Sequence, residues 1–335
     1  MEYLKSQLMA HFGDDIEIAS MEGGGFYPRF HVEVDVLTQS KRLSLFLKAM
    51  KPMRPERQEA EYYAYTHVLP LLEIRTPHLF GCFPDIEYPT QWLILERIEG
   101  CWSQRKHERE VLDIFQGIGY LHGKGITYPP AVDPGVRDFE FPSTKDEEKF
   151  SEMRTLLEEY AVELSLDKQV VEGFDRNLEY LRESQKTWIH GDNDVSNMLM
   201  CADGLCIIDW ETFSWASPAL DLGDLVQRVT LGKREKKHID AYCRGFVSAS
   251  GKKINPDQVN EWMDQGVFYD GVQGLTHYCE RRINDKTWDG KDWFDSWGLP
   301  RVRRINELIG RNNHSNLCLP LSLITSSIAL PPPSW

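Results

Sequence analysis

The stretch Trp188-Ile-His-Gly-Asp-Asn-Asp-Val-Ser-Asn197, with the later Ile207-Ile-Asp-Trp-Glu211, constrains this chain most. Asp192 and Asn197 stand five positions apart on a loop that leads into an apolar run, Met198 to Cys201. Ala202-Asp203-Gly204 then carries the Asp-Gly signal of a tight hairpin turn, and Leu205 to Ile208 reads as the returning strand. Such a hairpin brings Asp209 back beside Asn197, so an amide oxygen and a carboxylate can converge on one hard cation. Asp192 is left to hold a hydroxyl and take its proton. That set of groups is what phosphoryl transfer from a nucleotide needs.

The N-terminal region supplies a second pattern. Met1 to Phe12 reads as a short amphipathic helix with Tyr3, Leu4 and Leu8 on one side. Phe30, Val32, Val34 and Val36 alternate with His31, Glu33 and Asp35, and Leu43, Leu45 and Leu47 alternate with Ser44, Phe46 and Lys48. Both have the period of a half-buried strand, and the polar connection between them predicts a hairpin. Gly23, Gly24 and Gly25 precede a strand rather than a helix, which excludes the Walker phosphate loop and the Rossmann fingerprint. They fit either a loop folded over nucleotide phosphates between antiparallel strands or a plain flexible turn. Lys48 shares a strand face with Ser44 and Phe46 and can point into a cleft to meet phosphate. Pro55 can open a helix at its first turn, and the pattern predicts helix from Arg54 to Val68.

Three pieces, His190-Gly191-Asp192 with Asn197, Ile208-Asp209-Trp210-Glu211, and Asp221-Leu222-Gly223-Asp224, agree in order and spacing. On them the chain resembles the aminoglycoside phosphotransferase/choline kinase family. The resemblance implies an α+β, protein-kinase-like two-lobed fold: a small antiparallel β-rich nucleotide-binding lobe over 1–98, a larger mainly helical catalytic and acceptor lobe over 99–311, and a tail over 312–335. It implies Asn197 and Asp209 as ligands of Mg2+, Asp192 as catalytic base, and Lys48 on the phosphates of ATP, with GTP an open alternative. Glu59 is the carboxylate expected to steady Lys48, by its place before Tyr62-Tyr63. Glu61, about 200° away around the helix, is the alternative. Glu96 and Ile98, after the apolar strand Gln91 to Leu95, are expected to offer backbone groups to the nucleotide base. Asp221 takes the part of a structural carboxylate bonded to the catalytic loop. His122, ending a helix from Gln104 to Lys124, reads as a packed, hydrogen-bonded histidine. Asp264, Asp270, Glu280 and Asp285 are the family-implied candidates for an acidic acceptor pocket, against the plainer reading of exposed acids. One departure is Asn193-Asp194-Val195-Ser196, where relatives often carry an apolar or aromatic residue, then His or Pro. Asp194 there either tunes metal binding or faces solvent.

Only a dozen positions separate Asp209 from Asp221, too few for the segment with which a protein kinase docks a peptide. A small hydroxyl-bearing molecule is therefore the expected acceptor, and the net charge of −14 suits a cationic one. The same charge argues against nucleic-acid binding. Seven scattered cysteines without a Cys-x-x-Cys pair read as reduced thiols of the cytoplasm. The polar N-terminal residues predict neither a secretory signal nor a membrane span. Leu317 to Leu330 is interrupted by Pro320 and is too short to cross a bilayer. Two other functions stay open: a nucleotide-binding pseudokinase, which a complete set of Lys48, Asp192, Asn197 and Asp209 argues against, and a protein kinase.

Overall fold

The computed structural model describes residues 2–13, 16–24, 31–38, 41–49, 55–85, 91–102, 107–130, 141–142, 146–285, 290, 292 and 294–314. Helix α1 (Glu2–Phe12) is followed by a five-stranded antiparallel sheet of β1 (Glu17–Gly24), β2 (His31–Leu37), β3 (Arg42–Ala49), β4 (Leu79–Pro84) and β5 (Gln91–Glu96), in the order β1-β2-β3-β5-β4. Alternation decides what each face covers. Val34, Leu45, Leu47 and Ile94 pack with Leu4 and Leu8 of α1, while Phe46, Leu93 and Leu95 join a second core on the opposite face. That second face is covered by α2 (Pro55–Tyr63), which continues through a π-turn (Ala64–Val68) into α3 (Leu69–Leu72). Ala64, Tyr65 and Val68 are its buried side.

The second lobe is mainly helical: α4 (Glu108–Gly125), α5 (Glu147–Tyr160), α6 (Val170–Glu183), α7 (Pro218–Asp224), α8 (Lys236–Ser250), α9 (Pro256–Asn284) and a last helix, Leu299–His314. Helix α9 buries residues on every side, from Val259 through Trp262, Tyr269 and Leu275 to Cys279, as a central helix must. Two small antiparallel units carry the loop of interest. Strand β7 (Thr187–Ile189) pairs with β10 (Ser214–Ala216), and β6 (Cys101–Trp102), β8 (Met198–Cys201) and β9 (Gly204–Ile207) form a three-stranded sheet. The expected hairpin is present, with Met198 opposite Ile207 and Cys201 opposite Gly204. No helix among the described residues is long and apolar enough to cross a membrane. The tail from 315 onward lies outside the described residues.

Candidate active site

The loop after β7 is held from below by one buried carboxylate. Asp221 Oδ2 accepts from the backbone N–H of His190 (2.9 Å) and Oδ1 from that of Gly191 (2.8 Å). His122 Nε2 meets the same Asp221 carboxylate at 2.9 Å, while its Nδ1 lies 2.8 Å from the Tyr242 hydroxyl. Burial alone would raise the Asp221 carboxyl, but His122 and the His190 N–H hold it below the ordinary carboxylate range. His122 is fully buried, a packed histidine as its helix position suggested. His190 points its Nε2 at the Ile208 carbonyl (2.9 Å), tying the loop after β7 to the exit of β9. Gly191 takes φ +81°, and a Cβ there would lie 2.5 Å from the Thr212 carbonyl oxygen. Position and conformation both require glycine.

Above this base the functional side chains converge. The Asn197 Nδ2 donates to the Asp192 carbonyl (2.9 Å) and reaches Asp192 Oδ2 at 3.3 Å. The amide oxygen of Asn197 is thereby kept as an acceptor. Ile208 N–H donates to Asn197 O at 3.1 Å, so the residue before Asp209 is fastened to Asn197. Asp209 itself adopts φ +64°, a strained left-handed turn for a residue with a Cβ. Its Oδ1 lies 2.6 Å from Lys48 Nζ, joining the two lobes across a sequence separation of 161. Asp194, where the loop departs from the family pattern, accepts from Ser196 N–H at 2.9 Å and so caps the short turn Val195–Asn197. The neighbouring Asn193 donates its backbone N–H to Asp224 Oδ2 (3.2 Å), while its buried side-chain amide hydrogen-bonds none of the described residues.

The partner of Lys48 is Glu61, not Glu59. Lys48 Nζ donates to both Glu61 oxygens, at 2.8 and 2.7 Å, and Glu61 is buried while Glu59 is exposed. The reason is the helix face. Ala60, Ala64 and Val68 form the buried stripe, Glu61 adjoins it, and Glu59 lies with Tyr62 on the outer side. Burial works against the Lys48 charge, but Glu61 and Asp209 outweigh it and raise its pKa, so it stays an ammonium ion.

Other expected residues are placed less directly. Gly23 and Gly24 are the last residues of β1, opposite Val32 and His31, and Gly25 lies outside the described residues. The Glu96 N–H donates to the His78 carbonyl at 2.8 Å and its carboxylate takes a fork from Arg75 at 3.0 and 3.1 Å. That N–H is not free for a base; Ile98 follows in the irregular 97–100 connection. Of the acidic candidates, Asp264 is held by Arg234 (2.8 Å) and Arg304 (3.2 Å), and Glu280 and Asp285 are exposed. Asp270 is buried against Arg301 at 3.1 Å. It reaches the site only through Arg228, a residue to which the sequence pattern assigned no role. Arg228 Nη1 donates to Asp192 Oδ1 at 2.6 Å, and Asp224 and Asp270 lie 3.5 and 4.0 Å from its other nitrogens. The signal was present: Asp221, Asp224 and Arg228 recur at helical spacing, on one face with the catalytic loop.

Asn197 and Asp209 offer one amide and one carboxylate oxygen. Among the described residues no cluster of three or more His, Cys, Asp or Glu forms a cage for an ion. A sparse set of hard oxygens completed by phosphates and water suits Mg2+, so the residues present fit that ion.

The profile of the phosphotransferase enzyme family, APH, matches residues 28–252, and the chain belongs to that family. It has the protein-kinase-like α+β fold. Among solved structures, the GDP and kanamycin complex of APH(2″)-IIia is similar at 14% identity, covering 93% of this chain and 100% of that one, with a TM-score of 0.57. The choline kinase of Cryptosporidium parvum Iowa II is also 14% identical, over 93% and 97% of the two chains, with a TM-score of 0.57. Amicoumacin kinase in complex with AMP-PNP and Ca2+ is 12% identical, over 91% and 93%, with a TM-score of 0.56. At these identities the likeness is one of fold. No curated protein matches the chain at a significant level.

Proposed function

We propose that the protein is an ATP- and Mg2+-dependent kinase that moves the γ-phosphate to a hydroxyl of a small cationic molecule, of aminoglycoside, amino alcohol or amino sugar type. GTP is the alternative donor. The observation that carries this reading is the pairing of Lys48 with Glu61 and, across the lobes, with Asp209, whose neighbour Ile208 is bonded to Asn197. Residues 1–98 would cover the nucleotide and 99–311 hold the acceptor, with no chemistry assigned to 312–335. Gly23, Gly24 and Gly25 would lie over the phosphates, and the carbonyl of Glu96 and the backbone of Ile98 beside the base. Held by Asn197 and Asp209, Mg2+ would supply neutralising charge to the phosphates.

In this reading Lys48 turns its ammonium group to the phosphates while Glu61 keeps it in place. Asp192 orients the acceptor hydroxyl and receives its proton on a carboxylate oxygen. Asp221 holds the backbone on which Asp192 stands. The eleven residues between Asp209 and Asp221 are taken up by a turn, by β10 against β7 and by the start of α7, which supports a small acceptor over a protein. A cationic acceptor is supported by the net charge of −14. The six described cysteines are free thiols, in keeping with a reducing cytoplasm. The test is Mg2+-dependent ATP consumption across aminoglycosides, choline, ethanolamine, homoserine and methylthioribose. Turnover with an amine-bearing alcohol is expected. ATP binding without turnover on any of them would point instead to a pseudokinase.

A further inference from the structure

The loop between Asp192 and Asn197, Asn193-Asp194-Val195-Ser196, contains no cation. Lys48 is engaged on the far side, with Asp209 and Glu61. The positive charge beside Asp192 comes instead from Arg228, at 2.6 Å. Arg228 stands on a π-turn, Leu225–Val229, that extends α7, with Thr230 N–H bonded to Leu225 O five residues back. Such a turn adds a residue to the helical repeat and re-aims the side chains beyond it, and it is common at functional sites.

The guanidinium has five N–H donors. Among the described residues it makes one hydrogen bond, from Nη1 to Asp192 Oδ1; its buried Nε lies 3.5 Å from Asp224, and Nη2, 4.0 Å from Asp270, makes no hydrogen bond. The side chain keeps 27% of its surface exposed, so it is not sealed from solvent. Arg228 takes no proton itself, because its guanidinium stays charged. It does stand where charge develops. An acceptor oxygen sits about 3 Å from its base and about 3–3.5 Å from the phosphorus it attacks. A guanidinium on that same carboxylate lies within reach of the equatorial oxygens of the transferred group.

We infer that Arg228 is a further catalytic residue: its free N–H groups bind the γ-phosphoryl oxygens as the group passes from ATP to the acceptor, an arginine finger supplied by the chain itself. The inference rests on the proposed kinase activity. It also explains why the cation belongs on α7: a fixed element packed on the loop presents it without the mobility of a surface side chain.

The test uses Arg228→Gln and Arg228→Lys in the full chain, reading both phosphate transfer and the slow hydrolysis of MgATP without acceptor. Water replaces the acceptor in hydrolysis, but the moving group is the same. The glutamine variant is expected to lose roughly 100–1,000-fold in kcat for both reactions, with KM for ATP and the thermal shift by MgATP nearly unchanged. Lysine, which keeps the charge beside Asp224 and Asp270 should glutamine fail to fold, is expected to recover part of the rate. Hydrolysis at the wild-type rate in both variants, or a change confined to KM for the acceptor, would overturn the inference and leave the kinase reading standing. A wild-type protein with neither reaction would overturn the kinase reading and this inference with it.

Discussion

At the scale of single residues, the Lys48 pair is where spacing and face disagreed. Counting back from Tyr62-Tyr63 selected Glu59; burial selects Glu61, because the ammonium group must be met from the inner face of α2. Ala60, Ala64 and Val68 already marked that face in the sequence, so the pairing was legible from the apolar stripe. The two glutamates give a clean comparison. Glu61→Gln removes a buried partner of a buried cation and should lower kcat/KM for ATP by about tenfold or more, through loss of electrostatic order at the phosphates. Glu59→Gln should alter stability by no more than about 0.5 kcal/mol and leave kinetics unchanged. Steady-state kinetics and urea melts of the two variants check this. Asp194 was harder to read, since a carboxylate near a cation site and a carboxylate capping a turn look alike until the Ser196 N–H is located.

At the scale of elements, most of the architecture could be read from periodicity. The alternation in β2 and β3 and the Asp-Gly turn between β8 and β9 predicted those hairpins, and the pattern from Gln104 to Lys124 predicted α4. Edge strand β1 escaped because an irregularity between Ile18 and Ser20 breaks its period, so that Ile18 and Met21, three apart, both pack on the first core. The π-turns escaped because an extra residue in one helical turn leaves no compositional mark. Glycine in these helices serves close approach. Gly266 of α9 faces α7 so tightly that a Cβ would lie 1.7 Å from the Ala219 carbonyl oxygen, backbone that cannot give way. Gly266→Ala should therefore destabilise the protein by about 3 kcal/mol or more. Gly191→Ala, which combines a left-handed φ with the Thr212 carbonyl, should cost at least about 2 kcal/mol and also displace Asp192. Chemical denaturation read together with kcat separates the two: Gly266→Ala should act on stability, Gly191→Ala on both.

At the scale of the whole molecule, the two lobes meet through charge at Lys48 and Asp209, and the loop beneath is set by one buried carboxylate. The folded-state pKa of Asp221 lies below its ordinary value of 3.8. Its contribution to stability is therefore complete above about pH 4 and is lost as the pH falls through the lower, folded value. Urea melts across an acid series should show this loss in the wild type and a flatter acid limb in Asp221→Asn. The acceptor was the least legible part of the site. The family pattern pointed to Asp264, Asp270, Glu280 and Asp285, but two of these are claimed by arginines and two are exposed. Side-chain pairing between helices far apart in the chain leaves no local signature. The catalytic loop and its hairpin, by contrast, lie within 22 positions of one another, Trp188 to Asp209, and local order alone assembles them.

The central claim is that Asp192 receives the acceptor proton in a site that binds nucleotide without it. Asp192→Ala measured beside the wild type, by thermal shift with MgATP and by phosphate transfer to whichever acceptor the wild type uses, tests this directly. The account predicts an undiminished shift and no detectable transfer. Transfer by the variant at the wild-type rate would contradict it.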